Sequence, residues 1–481
     1  MKKLVLILAI ALVAGACSLF TGDGRAGPPA TTGTLTTTTT TTTLASTTTV
    51  LAGLPVELTD CSNPPEGFDL LCDTYRLLEE HYVDPIDDQA LAAGAARGME
   101  EYQPETTEPV PPGRPACALP AEAFQATCTV FAQVQDTGAV PVADLVEAAV
   151  RGMIQYGLED PHTAYLSPEA LAHVTETQSG EVSGIGALVR GEDQASGDGA
   201  NCSVLSDTCL LVIVDTLPDS PAEAEGVRAG DGVVVVDGES VAGLTVDEVV
   251  ARVRGPEGTE VALGLLRDGR IVEVTITRAA VVVPVVAWEM IESGIGYVAL
   301  SQFTDNSADQ VHQALQSLVT DGADRIIFDV RNDPGGSLTA SVRIASEFLS
   351  DGLVLRTQSP AETRDYSVEP GGAATDPNIQ IVVLVNRGSA SASELVSAVL
   401  QERGRATIIG EPTFGKNTVQ QRFDVSNGGA LNLTIARWVT PEGRDSGTSG
   451  VQPDLEPEIP EGADTDVYLE YALEYLRGSP A

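Results

Sequence analysis

The sequence predicts a multidomain α/β protein, and three observations carry that expectation. From about residue 281 short apolar strands alternate with amphipathic helices, the pattern of a layered α/β core. Between 181 and 279 the chain changes to short β-type runs separated by Gly/Asp turns. Between 59 and 180 the apolar period is helical, and one segment recurs. A chain of 481 residues is too long for a single core and reads as two or three domains.

The N-terminus is an address. M-K-K is followed by a short apolar run and then by A-G-A-C, the order of a secretory leader over residues 1–16. The run is too short for a comfortable membrane span. Cys17 behind three small residues resembles a bacterial lipobox, which implies lipidation of Cys17 and an extracytoplasmic chain anchored to the cell membrane. Plain secretion is the alternative. Residues 17–58 read as the linker of that anchor: 14 threonines in residues 31–50 make a low-complexity stalk that cannot form a core. With 69 acidic against 27 basic residues the net charge is −42, which argues against nucleic acid and against polybasic docking on anionic lipid.

Six further cysteines fall into three local couples, and an even count in an exported chain reads as disulfides. The simplest pairing is Cys61–Cys72, Cys117–Cys128 and Cys202–Cys209. With no C-x-x-C and no cysteine–histidine cluster, metal binding is not expected. L-A-A-G-A-A-R-G-M-E-E-Y (91–102) recurs as L-V-E-A-A-V-R-G-M-I-Q-Y (145–156), and the first two cysteine couples recur with it. Residues 59–180 are therefore expected to form two helical hairpins, each clipped by a disulfide, serving as a cap or dimerisation arm.

In the next segment, strands are expected at 210–214, 233–236, 261–266 and 271–276, and a helix at 245–255 with apolar Val246, Val249, Val250 and Val253 on one face. S-G-I-G-A-L-V (183–189) is a glycine-bearing loop entering a strand, and S-P-A-E-A-E-G-V-R-A-G-D (220–231) is a short helix with a turn. Residues 181–279 here resemble a PDZ domain of the bacterial, circularly permuted type. The resemblance implies capture of a peptide C-terminus by strand addition, its carboxylate in a nest at Gly184, Ile185, Gly186 and Ala187, its side chain facing the helix at 246–253. A regulatory β-domain without ligand is the alternative. The segment with Cys202 and Cys209 reads as an inserted hairpin.

Beyond residue 280 the expected order is strand 296–303, helix 308–319, strand 325–331, helix 338–349, strand 379–386, a serine turn, a helix to 401, and strands 406–410 and 431–438. The turn reads N-R-G-S-A-S-A-S-E (386–394). A serine between an apolar strand and a helix start lies where free N–H groups favour a developing anion. Ser391 with Glu394 also spells a capping box, so Ser391 could merely cap the helix, and Ser389 and Ser393 are equal candidates. The activator is not evidently histidine. His81, His162 and His173 lie in or beside the helical repeats, His312 reads as solvent-facing on its helix, and none has a matching Asp setting. Lysine is the informative residue: once Lys2 and Lys3 leave with the leader, Lys416 is the only one, every other basic side chain being arginine. Arginine cannot deprotonate in a protein, whereas a lysine can be tuned to a neutral amine, so a general base is the one task arginine cannot take over. On a strand, Gln420 at i+4 would share the face of Lys416 and orient its amine.

N-R-G-S-A-S-A-S-E, R-A-T-I-I-G-E-P-T-F-G-K-N-T-V-Q, D-V-R-N-D-P-G-G, T-P-E-G-R and G-V-Q-P-D occur in the order found in the carboxy-terminal processing, or tail-specific, peptidases, and from about residue 145 onward the chain resembles that family. The resemblance implies a crotonase-like peptidase core over 280–462 with an inserted PDZ domain, closed by a C-terminal helix over 463–481. It implies a Ser–Lys serine endopeptidase: Ser391 as nucleophile, Lys416 as general base, Gln420 as orienting residue, and an oxyanion hole of Ala392 N–H with Gly335 or Gly336. It implies no cofactor, and substrates that are proteins or peptides with apolar C-terminal tails. A homo-oligomer and an activating partner stay open. The chain departs from the family pattern at Asp333, where Asn is usual and a carboxylate beside the oxyanion hole would be harmful unless it turns away, and at Asn417, where Gly is common. A non-catalytic binder or adaptor on the same scaffold is the rival reading.

Overall fold

A computed structural model describes residues 57–103, 116–137, 140–194, 201–447, 449–460 and 465–478. The expected leader, Cys17 and most of the threonine-rich linker lie outside the described residues. The chain divides into two compact units, one with residues 1–80, 85–165 and 425–427, the other with 81–84, 166–424 and 428–481.

The first unit is built from the recurring segment. Asp69–His81 and Asp88–Glu101 form one helical pair, Gln125–Thr137 and Val142–Gly157 the other. Cys61–Cys72 and Cys117–Cys128 are both bonded, as the local pairing anticipates. The sequence pattern did not reveal a short parallel strand pair, Leu58–Asp60 with Cys117–Leu119, through which the two copies join. The copied R-G-M positions explain how the helices cross. A Cβ on Gly98 would stand 2.2 Å from the Ala148 carbonyl oxygen, and one on Gly152 would stand 2.3 Å from that of Gly94. Only glycine permits so close a backbone crossing.

In the second unit, a five-stranded sheet runs Val286–Glu292, Ile295–Leu300, Arg325–Asp329, Gln380–Val385, Thr407–Gly410. Its first pair is antiparallel and the others are parallel. The central strands read as unbroken apolar runs because both faces are covered. Ile326, Phe328, Val383 and Val385 face a core that includes the helices Ser307–Thr320, Leu338–Ser346 and Ala392–Glu402, while Ile327, Val382 and Leu384 face Ala472 and Leu473 of the helix Val467–Leu476. An antiparallel sheet, Thr363–Ser367, Leu353–Gln358, Ala430–Val439, Thr418–Asp424, completes this part. The strand expected to reach Arg331 ends at Asp329, since Asn332 turns the chain at φ +59°.

Residues between 184 and 279 form an antiparallel sheet in the order Arg270–Thr277, Glu260–Arg267, Gly232–Val236, Cys209–Thr216, Ala187–Asp193, with the helix Val246–Val253 packing Val249 into its core. The helix starts at a complete capping box: Glu248 N–H donates to Thr245 Oγ1, and Thr245 N–H to the Glu248 carboxylate. Chain entry and exit run side by side as an antiparallel stem, Glu181–Gly184 with Ala279–Val282. Below it, Val283 N–H donates to the Gly180 carbonyl at 2.9 Å.

Candidate active site

The apolar strand Gln380–Val385 delivers the serine turn to the start of the helix Ala392–Glu402. The turn is held from below. Asn386 accepts from the N–H groups of Asn332 and Gly388, and its amide nitrogen donates to the Asn332 side chain. Ser389, fully buried, donates to the Val330 carbonyl at 2.8 Å. Ser393, also fully buried, donates to the Asp333 carbonyl at 3.0 Å. Two of the three candidate serines are thus spent on backbone acceptors.

Ser391 differs. It is partly exposed, and its backbone sits at φ +53°, ψ −109°, a conformation that costs a non-glycine residue about 1–3 kcal/mol. An ordinary helix cap is extended. Ser391 and Glu394 are disposed as a capping box. Ser391 N–H donates to Glu394 Oε2 at 2.7 Å.

Glu394 is the centre of the arrangement. It is fully buried and accepts four donors: Ser391 N–H and Lys416 N–H on Oε2, Thr413 Oγ1 and Gly415 N–H on Oε1. Four donors fill the acceptor sites of a carboxylate. At 2.7 and 2.8 Å from one oxygen, the backbone nitrogens of Ser391 and Lys416 are at most about 5.5 Å apart. The loop carrying Lys416 is fixed further by Phe414 N–H donating to the Ser389 carbonyl and by Asn417 donating to Asp445. Asn417 has no left-handed φ, so the loop does not need glycine there. Sequence reading took Glu394 only as half of a helix cap. The available signal was the regular spacing S-x-x-E; what it could not reveal is the convergence of residues 413–416 on the same carboxylate.

The D-P-G-G turn abuts the serine turn. A Cβ on Gly335 would lie 2.8 Å from Ala392 N and 2.9 Å from Ser391 Cβ, so the close approach requires glycine. Asp333 is turned inward: it is fully buried, and its Oδ1 accepts Gly335 N–H at 2.8 Å. Gly335 N–H is therefore already engaged. Gly336 bridges Phe303 in parallel register, with Phe303 N–H donating to the Gly335 carbonyl and Ser337 N–H to the Phe303 carbonyl, which turns the N–H of Gly336 away from that bridge. Asp333 Oδ2 has no partner, and burial pushes the carboxyl pKa well above the usual carboxylate range.

Lys416 lies two residues before the strand Thr418–Asp424, so the strand period does not by itself carry its facing to Gln420. The Gln420 amide nitrogen donates instead to the Thr418 and Thr434 hydroxyls. His312 keeps 38% of its side chain exposed, in line with a solvent-facing position, and sits 3.0 Å from both carboxylate oxygens of Glu347. His81 stacks on Phe423 with ring centroids 4.6 Å apart.

At the other end of the unit, Gly184 ends the stem strand opposite Ala279. The carbonyls of Ile185 and Gly186 accept the N–H groups of Ala222 and Leu217. In a trans peptide N–H and C=O point oppositely, so the N–H groups of Gly186 and Ala187 face away from those partners.

The PDZ domain family model matches residues 175–266, and that of peptidase family S41 matches residues 294–457. The chain is 36% identical over 336 residues to the carboxyl-terminal-processing protease of Synechocystis sp. (strain ATCC 27184 / PCC 6803 / Kazusa), covering 67% of this chain and 75% of that one. It is 34% identical over 337 residues to the carboxy-terminal processing protease CtpA of Bacillus subtilis (strain 168), covering 69% and 68%. Among solved structures, the photosystem II D1 C-terminal processing protease aligns at 28% identity and a TM-score of 0.44, over 83% of this chain and 94% of that one.

Proposed function

The chain belongs to the carboxyl-terminal-processing proteases of peptidase family S41, and from that premise we propose the residue roles by which this serine-type peptidase cuts its protein substrates. Ser391 is the nucleophile. Lys416, as a neutral amine, takes the Ser391 proton while Oγ attacks the scissile carbonyl carbon. The oxyanion of the tetrahedral intermediate is held by the N–H groups of Ala392 and Gly336, Gly335 serving to let the two turns approach. Collapse of the intermediate breaks the C–N bond, the lysine ammonium protonates the leaving amine, and water then hydrolyses the acyl-enzyme. Gln420, its amide nitrogen held by two threonine hydroxyls, offers its carbonyl oxygen to orient the amine.

The observation that carries this reading is the shared carboxylate of Glu394, which ties the Ser391 and Lys416 backbones together while Ser389 and Ser393 are consumed elsewhere. The PDZ domain captures an apolar C-terminal tail, with the N–H groups of Gly186 and Ala187 receiving its carboxylate. The leader-like N-terminus and Cys17 support anchoring by lipid on the extracytoplasmic side of the cell membrane, where disulfides persist. Loss of membrane fractionation in Cys17→Ser tests the anchor.

Cleavage of a model protein with an apolar tail tests the dyad. Lys416→Arg retains the charge and removes the base, so wild type is expected to cut while Lys416→Arg and Ser391→Ala do not, all three being folded by circular dichroism. Equal cleavage by wild type and Lys416→Arg would place the base elsewhere.

A further inference from the structure

The strand Ala187–Asp193 is the edge of its sheet, its inner side paired with Cys209–Thr216. In an antiparallel ladder successive residues direct their N–H and C=O alternately to the two neighbours. Leu217 N–H donates to the Gly186 carbonyl, so the polar groups of Ala187 face the open side. Beyond the bulge at Leu188/Val189 the outward residues are Val189 and Gly191.

Gly191 is not available to a ligand. Its carbonyl accepts Cys202 N–H, and Glu192 bridges Asn201 in antiparallel register, so the chain doubles back along the open edge. From there the same segment crosses to the helix Val246–Val253. Val246 N–H donates to the Ser203 carbonyl, Leu205 N–H to the Leu244 carbonyl, and Gly243 N–H to the Leu205 carbonyl. The fit is close: a Cβ on Gly191 would meet the Cys202 carbonyl oxygen at 2.0 Å and Val246 Cγ2 at 3.0 Å. Cys202 is bonded to Cys209, the first residue of the neighbouring strand. The far end of the strand–helix groove is thus filled by the protein's own backbone and riveted by a disulfide.

We propose that the disulfide-bonded segment 201–209 is a built-in stop that limits tail capture to about the last four residues of a substrate's C-terminus, and that opening the Cys202–Cys209 bond lifts the limit. The proposal rests on the tail-capture reading above. With the carboxylate at Gly186 and Ala187, the terminal residue pairs with Ala187 and the third from the end with Val189. The fifth would need the Gly191 carbonyl, which Cys202 holds. Substrates recognised this way need only a short frayed tail, and longer extended segments gain nothing from the groove.

The test uses the full chain carrying Ser391→Ala, so that nothing is cut, and fluorescein-labelled peptides of about three to eight residues with apolar free C-termini, amidated versions serving as controls. In the oxidised protein, affinity is expected to rise to about four residues and then stay within roughly twofold. Cys202→Ala/Cys209→Ala, and separately Gly191→Val, which displaces the segment and leaves the bond intact, should bind the longest peptide at least about threefold tighter than the four-residue one. Retained four-residue binding in either variant establishes that its groove is folded, and dithiothreitol treatment of the oxidised protein provides the same comparison without substitution. Affinity that climbs beyond four residues in the oxidised protein would overturn the stop and leave tail capture standing. A plateau that persists in the variants and after reduction would overturn the role of the segment and its bond. No binding at any length, or equal binding of the amides, would overturn tail capture and the stop together.

Discussion

Two fully buried carboxylates flank the serine turn, and they are kept there by opposite means. Glu394 accepts four hydrogen bonds from two separate stretches of chain, at Ser391 and at residues 413–416. Asp333 accepts one on its side chain, from Gly335, and leaves Oδ2 without a partner. Burial is the same for both; the supply of donors is not. Glu394 works as a junction that fixes where the serine turn and the lysine loop meet. Asp333 works mainly through its carbonyl, which accepts Ala390 N–H and Ser393 Oγ, while burial pushes its carboxyl toward the protonated form.

The strongest way to break the contrast is Glu394→Gln. The amide has one acceptor oxygen, so its NH2 group must confront donors on one side of the junction. A fall in kcat/KM of about 100-fold or more is expected, near 2.7 kcal/mol of transition-state stabilisation, with KM changing far less. Steady-state kinetics on a cleavable tail peptide measures it. An unchanged kcat would mean that the junction does not position the reacting groups.

Asp333→Asn sharpens the comparison from the other side. Its raised pKa means that the folded form keeps the proton: the contribution to stability is complete below the ordinary value of 3.8 and is lost as pH rises through the folded value. Asparagine has the same shape and no charge to suppress. The variant should match wild type near pH 4 and exceed it in the alkaline range, by about 1–3 kcal/mol, in denaturant titrations at several pH values. The opposite slope would show Asp333 to be an ionised, satisfied group. A smaller effect is expected of Thr413→Val, which removes one of the four donors to Glu394 and the acceptor of Val451 N–H. About 1 kcal/mol of stability and a few-fold loss of kcat are expected, since the other three donors remain.

What the sequence made legible follows from where local pattern and global packing agree. Residues 326–328 and 381–385 are unbroken apolar runs because their strands are covered on both faces, and that reads directly. Val246, Val249, Val250 and Val253 announce their helix by period. Lys416 stands out by composition alone. The misread features are those in which distant segments converge. The spacing of Ser391 and Glu394 is that of any helix cap, and nothing local says that residues 413–416 arrive at the same carboxylate. Asp333 looks harmful beside an oxyanion hole until its carboxyl is seen turned inward onto Gly335. Lys416 stands two residues ahead of the strand Thr418–Asp424, a boundary that the residue types do not mark, so the facing of Gln420 relative to it could not be counted off.

The stem under the PDZ domain has a consequence for how such a chain can be assembled. Gly180 and Val283 are already hydrogen-bonded to each other, so everything from 181 to 282 enters and leaves the core through one gap the width of a strand pair. Seen from the core, the whole domain is a single elongated turn. The entropy of closing that turn grows only slowly with its length, so the core is nearly indifferent to what fills it. A gene in which residue 180 is joined to residue 283 through a few turn residues would encode the same five-stranded sheet without the PDZ domain, and a different domain could be spliced into the same gap.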